Sequence, residues 1–280
     1  MLRDLVDRYD TYLIDMWGTV YDRGAGLFPR AAACLGELKR AGKRVILTSN
    51  AARPAGTELE RQLGAAASAV PHDRLVTAGE VIRDLAPGPK GLGATLGTRY
   101  FVLGHQRNAG LLTDLGFVEV AQPQEAAFIV VAGLLHPDDA TSNADTVFCQ
   151  TRALLVQALE QRIPLLAAKS DWLTVFPDGR PWIGPGPLLQ WYTEQGGAVR
   201  LIGKPARAYY DHCARFFSSS RQRVLAIGDH RETDIAGGAS CGFDTLLITS
   251  GIERRLSALA TFERGHGGGT PTYEAEMLEW

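Results

Sequence analysis

The chain has 280 residues, of which 45% are hydrophobic and 21% charged, and its formal net charge is -2. This length is enough for a large buried core in one domain or two. A nearly neutral chain lacks the overall positive field that nucleic-acid-binding proteins use, although a locally positive pocket is still compatible with it. We therefore expect a globular protein that has no nucleic acid partner.

The sequence also lacks the signals of membrane and secreted proteins. No apolar run reaches the ~18 residues that a membrane span needs, and the charged N-terminus has no signal-peptide core. The four cysteines are far apart and form no CxxC pair, which favours reduced thiols over disulfides or a zinc site. We expect a cytoplasmic protein that does not bind membranes.

Short apolar runs alternate with helical patterns, which is typical of an α/β fold with a mainly parallel sheet. The first run, residues 12–14, ends at Asp15, and Pro29 then begins a helical pattern that ends near Gly42. A second run ends at Thr48. Further core-like runs follow at residues 201–202, 224–227 and 245–248.

The middle of the chain predicts a second unit of the same class. Residues 86–98 are rich in glycine and proline and are typical of a linker. A separate set of apolar runs and a helical pattern follows, with enough residues for a core of its own. We therefore predict an inserted α/β cap domain over residues 86–193, between the two parts of a core domain, residues 1–85 and 194–280.

Polar side chains follow four of the apolar runs. Asp15, Thr48, Lys204 and Asp229 each stand where a strand is predicted to end, and ligands gather at the carboxyl ends of parallel strands. A carboxylate nucleophile, a hydroxyl, a cation and a second carboxylate suit phosphoryl transfer. Together with Asp234, the carboxylates also offer the oxygen ligands that Mg²⁺ prefers. Taken alone, such an aspartate or threonine is more often a turn or helix-cap residue, and Lys204 fits an ordinary loop lysine, so the prediction rests on their joint occurrence.

The segments around these residues resemble the motifs of the haloacid-dehalogenase (HAD) superfamily. Residues 15–20 resemble its first motif, residues 47–50 the second, residues 203–205 the lysine motif and residues 228–235 the acidic metal motif. The insertion lies between the second and third motifs, as in class IIA, the relatives of p-nitrophenyl and pyridoxal phosphatases. Within it, Ser170 and Asp171 followed by Phe176 and Pro177 resemble the cap segment that faces the substrate in that class.

This resemblance implies a HAD-type, Rossmann-like parallel sheet core with an inserted α/β cap. It also implies a Mg²⁺-dependent hydrolase that removes phosphate from a small phosphorylated metabolite through an aspartyl-phosphate intermediate. A homodimer is compatible with it. The resemblance implies that Asp15 is the nucleophile and a metal ligand, and that the other metal ligands are the Trp17 carbonyl, Asp229 and Asp234. It implies that phosphate is bound by Thr48, the Ser49 amide, Asn50 and Lys204. It also implies that Asp171 of the cap contacts the substrate.

Asn50 and Arg53 are weaker candidates near the mouth of the site. A helix entry and a surface arginine are the structural alternatives for these two residues.

The residue two positions after Asp15 departs from the usual phosphatase motif. In the resembling phosphatases it is an aspartate that acts as general acid and then as general base, and Trp17 can do neither. Positioned acid–base catalysis typically contributes ~10²–10⁴-fold in rate. Three explanations are open: a substrate with a good leaving group, such as an acyl or anomeric phosphate; a proton from Asp171, His230 or Glu232; or binding without turnover.

Two other functions stay open because of Trp17. The first is a catalytically weak HAD-like binding or regulatory protein. The second is a metal-independent, dehalogenase-like hydrolase, since the haloacid dehalogenases carry an aromatic residue at this position and attack carbon. The pair of Asp229 and Asp234 argues against the second alternative, and we favour the phosphatase.

Overall fold

The computed structural model describes residues 2–22, 24–104, 108–135, 143–175, 181–218, 220–252 and 268–280. The strands are β1 (Thr11–Asp15), β2 (Tyr21–Asp22), β3 (Gly26–Leu27), β4 (Arg44–Ser49), β5 (Arg74–Thr77), β6 (Arg99–Leu103), β7 (Val118–Glu119), β8 (Phe128–Val131), β9 (Leu165–Ala167), β10 (Leu173–Val175), β11 (Pro181–Ile183), β12 (Val199–Leu201), β13 (Val224–Gly228), β14 (Asp244–Ile248) and β15 (Tyr273–Ala275). The α-helices are α1 (Leu2–Leu5), α2 (Pro29–Arg40), α3 (Ala55–Leu63), α4 (Ala78–Asp84), α5 (Leu92–Thr95), α6 (Ala144–Glu160), α7 (Gly186–Glu194), α8 (Arg207–Ala214) and α9 (Gly237–Ser240). A π-helical turn, Arg231–Ala236, precedes α9.

The first sheet has six strands in the order β15-β14-β13-β1-β4-β5, and all its pairings are parallel. Every residue of β1 is buried. Leu13 belongs to the apolar cluster on one face of the sheet, while Tyr12 and Ile14 belong to the cluster on the other face. A strand covered on both faces needs a continuous apolar run, as this sequence has. The carboxyl ends of β1, β4 and β13 therefore lie side by side at one edge.

The second sheet has five parallel strands in the order β12-β9-β8-β6-β7. Helices α6 and α7 cover it, with Leu155 and Tyr192 in its apolar cluster. The hydroxyl of Tyr192 donates a hydrogen bond to the carbonyl of Ile163 at 2.6 Å. All five strands lie between β5 and β13 in the chain. This confirms the predicted α/β fold with an inserted α/β cap.

The position of β12 corrects one part of the sequence analysis. Residues 201–202 were predicted to continue the first sheet, but Leu201 pairs with Ala167 in the second sheet. The prediction is wrong because a short apolar run carries no information about which sheet it joins. We propose that the cap extends to Leu201 rather than to residue 193.

Among the residues that the structure describes, no helix combines the length and hydropathy needed to cross a membrane. The four cysteines are free thiols. Cys34, Cys213 and Cys241 are buried, and Cys149 is exposed.

Two tyrosines near the amino ends of the strands allow a matched test of how much the hydrogen bonds of a tyrosine hydroxyl contribute to stability. The hydroxyl of Tyr9 donates to Asp244 Oδ2 at 2.5 Å and lies 3.0 Å from the hydroxyl of Tyr273. The hydroxyl of Tyr12 is buried and has no hydrogen-bond partner in the described part of the chain. We predict that Tyr9→Phe lowers the free energy of unfolding by about 1–3 kcal/mol, because it leaves Asp244 unpaired. Tyr12→Phe should be neutral or stabilising. Urea denaturation measures both, and equal losses in the two variants would contradict this account.

Candidate active site

The residues predicted to carry the chemistry meet at the carboxyl edge of the first sheet. Asp15 ends β1, Thr48 lies near the end of β4, and Asp229 follows β13. Lys204 reaches the same place from the loop after β12. Asp15, Lys204 and Asp229 border a cleft of about 170 Å³, whose other wall includes Asp171 of the cap.

The ammonium of Lys204 is the central contact of the cleft. Its Nζ donates to Asp15 Oδ1 at 2.5 Å and to Asp234 Oδ1 at 2.6 Å, and it lies 3.5 Å from Thr48 Oγ1. Lys204 is 2% exposed. Burial alone would lower the pKa of the ammonium, but the charges of Asp15 and Asp234 outweigh it and raise that pKa above its usual value. Lys204 is therefore a permanent cation beside the predicted nucleophile.

Three buried carboxylates surround this lysine. Asp15, Asp229 and Asp234 each offer an oxygen, and the three oxygens lie within 4.8 Å of one another. Burial raises the pKa of Asp15 to about 7; Lys204 opposes the rise and Asp234 adds to it. Burial, followed by the charges of Asp15 and Asp234, raises the pKa of Asp229 well above its usual value. One lysine does not balance three carboxylates, and a hard cation with oxygen ligands fits the remaining charge.

The turn after β1 presses against one of these carboxylates. Gly18 has φ +82°, and a Cβ there would lie 1.8 Å from Asp229 Oδ2. Only glycine meets both demands, which accounts for the Gly-Thr that follows the predicted nucleophile. The same Oδ2 accepts a hydrogen bond from the Ile252 amide at 2.7 Å. The Asp229 side chain is thus held in one orientation.

Asn50 lines the cleft and also positions Lys204. Its Oδ1 accepts from the Lys204 amide at 2.7 Å, and its Nδ2 donates to the Lys204 carbonyl at 3.0 Å. Both ends of the Asn50 amide therefore contact the Lys204 backbone, a positioning role that the sequence did not indicate. One N–H of Nδ2 is still available, and the phosphate contact of Asn50 stays a prediction.

The Ser49 amide has a partner that the sequence did not indicate. Its N–H donates to the hydroxyl of Tyr209 at 2.9 Å, and that hydroxyl donates in turn to the Val76 carbonyl at 2.7 Å. The phosphate contact of this amide stays a prediction, and it would require the Ser49 N–H to leave Tyr209. Tyr209 lies 160 positions away, so no local pattern could have revealed the contact. Thr48 retains its place beside Lys204.

The remaining predicted residues are distributed around the cleft. Trp17 and Asp171 line it, as does His230, whose Nδ1 accepts from the amides that begin the π-helical turn. Phe176 and Pro177 lie outside the described residues. Arg53 is no surface arginine: it is 8% exposed and pairs with Glu58 at the cleft wall.

Several residues of the cleft wall were not predicted from the sequence. Glu58, Gln62, Asn108 and Lys169 all line the cleft. The acidic residue five positions after Arg53 was a weak local signal for the ion pair. Asn108 could not have been found, because its contact with Arg53 joins residues 55 positions apart.

Comparison with known proteins gives consistent likenesses. Residues 12–118 match the family described as haloacid dehalogenase-like hydrolase, and residues 201–268 match a HAD-hydrolase-like family. Chronophin of Homo sapiens is 28% identical over 286 residues, which cover 99% of this chain and 93% of chronophin. A haloacid dehalogenase-like hydrolase from Brucella suis 1330 is 31% identical, with a TM-score of 0.78, and the match covers 99% of this chain and 98% of that protein.

A third likeness is one of fold alone. A glycerol phosphate phosphatase from Mycobacterium tuberculosis, solved in complex with magnesium, is 19% identical with a TM-score of 0.68. The match covers 98% of this chain and 76% of that protein.

The raised carboxyl pKa values predict how pH and metal ions affect stability. A carboxyl group whose pKa is raised on folding stabilises the protein fully below the unfolded pKa of about 4, and this contribution is lost as pH rises through the folded pKa. For Asp15 that loss extends to about pH 7. Because a divalent cation binds the ionised carboxylates, Mg²⁺ should raise the melting temperature more at about pH 8 than at about pH 5.5.

Thermal unfolding with Mg²⁺ and with chelator at both pH values measures this difference. Asp229→Asn, which removes one carboxylate of the cluster, should reduce the Mg²⁺ effect, and Asp211→Asn, at an exposed surface ion pair, should not. A Mg²⁺ effect that is equal at both pH values, or unchanged in Asp229→Asn, would contradict the predicted linkage.

Proposed function

The chain belongs to the haloacid dehalogenase-like hydrolase family, and we propose that it is a Mg²⁺-dependent phosphatase that acts on a small phosphorylated metabolite. The observation that carries the proposal is the buried ammonium of Lys204, which binds both Asp15 and Asp234 at the carboxyl edge of the first sheet. A nucleophilic carboxylate, a fixed cation and a hydroxyl within 3.5 Å of that cation suit a phosphate group. The names of the phosphatase relatives point to the same class of reaction.

In the proposed reaction Asp15 attacks the phosphorus of the substrate. The bond between phosphorus and the leaving oxygen breaks, and the phosphoryl group is carried on the Asp15 carboxylate. Water then attacks that phosphorus, which releases inorganic phosphate and restores the carboxylate. The Lys204 ammonium neutralises charge on the phosphoryl oxygens in both steps, and Thr48 Oγ1 offers them a hydrogen bond. Lys204 stays charged throughout because two carboxylates stabilise its protonated form.

The carboxylate cluster is where the metal ion would bind. Asp15, Asp229 and Asp234 would hold Mg²⁺ together with the backbone carbonyl of Trp17, a residue that also lines the cleft. When bound, the ion would neutralise phosphate charge and orient the phosphate for attack by Asp15. The cluster favours a phosphatase over a metal-independent dehalogenase, because three buried carboxylates beside one lysine leave negative charge that a bound cation would compensate.

Trp17 sets the range of substrates in this proposal. Its indole lines the cleft at the position where a general acid would stand, and it cannot protonate a leaving oxygen. A leaving group of low basicity, such as an acyl or anomeric oxygen, needs little protonation. We therefore propose that activated phosphates are better substrates than simple alkyl phosphates. A contact between Asp171 and the substrate is part of the same proposal.

The nucleophile is tested by Asp15→Asn. The amide keeps the shape of the side chain but is a poor nucleophile, so Mg²⁺-dependent phosphate release from p-nitrophenyl phosphate should fall to the uncatalysed background. Asp211→Asn, the same change at an exposed ion pair, should retain wild-type turnover. Unfolding curves establish that both variants fold. Wild-type turnover in a folded Asp15→Asn protein would exclude Asp15 as the nucleophile.

The missing general acid is tested by Trp17→Asp. Because the new carboxyl stands where the acid is absent, hydrolysis of propyl phosphate should rise, by at most the ~10²–10⁴-fold that acid–base catalysis supplies. Hydrolysis of p-nitrophenyl phosphate should change much less, since its leaving group needs no proton. Trp17→Phe, which reduces volume without adding an acid, is the matched control for the cavity that loss of the indole leaves.

Two results would contradict the proposed role of Trp17. One is a folded Trp17→Asp protein that gains nothing on propyl phosphate while the wild type already cleaves it rapidly; another residue then supplies the acid. The other is an equal gain in Trp17→Phe, which would assign the change to access and not to proton transfer.

A further inference from the structure

One wall of the cleft is built on a buried ion pair outside the catalytic cluster. Arg53 Nε and Nη2 donate to the two carboxylate oxygens of Glu58, each at 2.7 Å. Glu58 is 1% exposed. Hydrogen bonds from Arg53 and from Gln62 overcome the effect of burial and lower the pKa of the Glu58 carboxyl, so it is ionised at neutral pH. The pair is therefore a fixed cation and a fixed anion at one wall of the site.

Each member of this pair orients one side-chain amide. Arg53 Nη1 donates to Asn108 Oδ1 at 2.8 Å, and Glu58 Oε1 accepts from Gln62 Nε2 at 2.7 Å. A guanidinium only donates and a carboxylate only accepts, so neither amide can be flipped without losing its bond. Asn108 must present its NH₂ group away from Arg53, and Gln62 must present its carbonyl oxygen away from Glu58.

The two exposed ends of these amides are available to a ligand. Asn108 and Gln62 both line the cleft. Within the described part of the chain, Asn108 Nδ2 and Gln62 Oε1 have no hydrogen-bond partner, although Asn108 is only 6% exposed. A molecule bound in the cleft can therefore accept from Asn108 Nδ2 and donate to Gln62 Oε1.

We infer that Asn108 and Gln62 form a subsite that binds a hydroxyl group on the leaving group of the substrate. A hydroxyl accepts from one neighbour and donates to another, which matches one fixed donor and one fixed acceptor. The inference rests on the proposed function, since the phosphate lies at Lys204 and the rest of the substrate must occupy the remaining walls. The substrate class is then a phosphorylated polyhydroxy compound, and a sugar phosphorylated at its anomeric oxygen also meets the leaving-group demand of Trp17.

The proposed subsite contains one residue from each domain. Gln62 lies on α3 of the core, and Asn108 lies between β6 and β7 of the cap. The Arg53–Asn108 hydrogen bond links the Asn108 loop of the cap to the core at the cleft wall. A hydroxyl that bridges Asn108 and Gln62 thus contacts both domains, and Asn108 and Gln62 are specificity-determining residues.

The test compares substrates that differ in hydroxyl groups. The probes are trans-4-hydroxycyclohexyl phosphate against cyclohexyl phosphate, and meta-hydroxyphenyl phosphate against phenyl phosphate; within each pair the leaving groups are of similar basicity. In the wild type with Mg²⁺, kcat/KM should be higher for the hydroxylated member of each pair. Asn108→Asp keeps an oxygen for Arg53 but replaces the donor, and Gln62→Met removes the acceptor at similar length. In both variants the preference should fall about tenfold or more, the loss expected when a buried hydrogen bond to the substrate is removed.

The control is Asn143→Asp, the same chemical change at the residue that caps α6, where Asn143 Oδ1 accepts from the Thr146 amide outside the cleft. It should keep the wild-type preference, and thermal unfolding should show all variants folded. No preference for a hydroxylated probe in either pair, or a wild-type preference in either Asn108→Asp or Gln62→Met, overturns the subsite. Failure of the folded wild type to release phosphate from phenyl phosphate would instead overturn the proposed function.

Discussion

The ammonium of Lys204, buried between Asp15 and Asp234, is the interaction on which the rest of the site depends. A buried charge is costly unless it is paired, and Lys204 is held on both sides of its terminal nitrogen at 2.5 and 2.6 Å. Its backbone is fixed as well, by two hydrogen bonds with the Asn50 amide. The lysine compensates the charges of Asp15 and Asp234, while Asp229 has no ion-pair partner among the residues that the structure describes. This imbalance supports the proposal that a divalent ion binds at the cluster.

The same lysine links the cap to the catalytic edge. Leu201 still belongs to the second sheet, and three residues later Lys204 is in the active site. Gly203 makes the crossing possible, because a Cβ there would lie 1.9 Å from the Ala168 carbonyl. The end of a cap strand therefore delivers a core residue to the nucleophile. At the opposite wall, Arg53 reaches the cap through Asn108. The cleft is thus bounded on two sides by direct connections between the domains.

The sequence predicted the features that follow from the order of apolar runs and polar residues along the chain. It did not predict the features that depend on contacts between residues far apart in the sequence. The α/β fold, the insertion and the strand ends that carry Asp15 and Thr48 follow from apolar runs and the polar residues after them. The assignment of residues 201–202 to the first sheet is wrong, because a run of this length fits either sheet. The Ser49 amide is bound by Tyr209, and no local pattern carries that information. The catalytic and metal-binding roles of the clustered residues stay predictions.

The central claim is that Asp15 carries the phosphoryl group during turnover. The most direct measurement is to quench the enzyme during hydrolysis of p-nitrophenyl phosphate in Mg²⁺, reduce it with borohydride and map the peptides by mass spectrometry. Borohydride converts an aspartyl phosphate to homoserine and leaves a free aspartate unchanged. The account predicts homoserine at position 15 only, and only when substrate is present. Continued turnover with unmodified Asp15, or with homoserine at another aspartate, would contradict it.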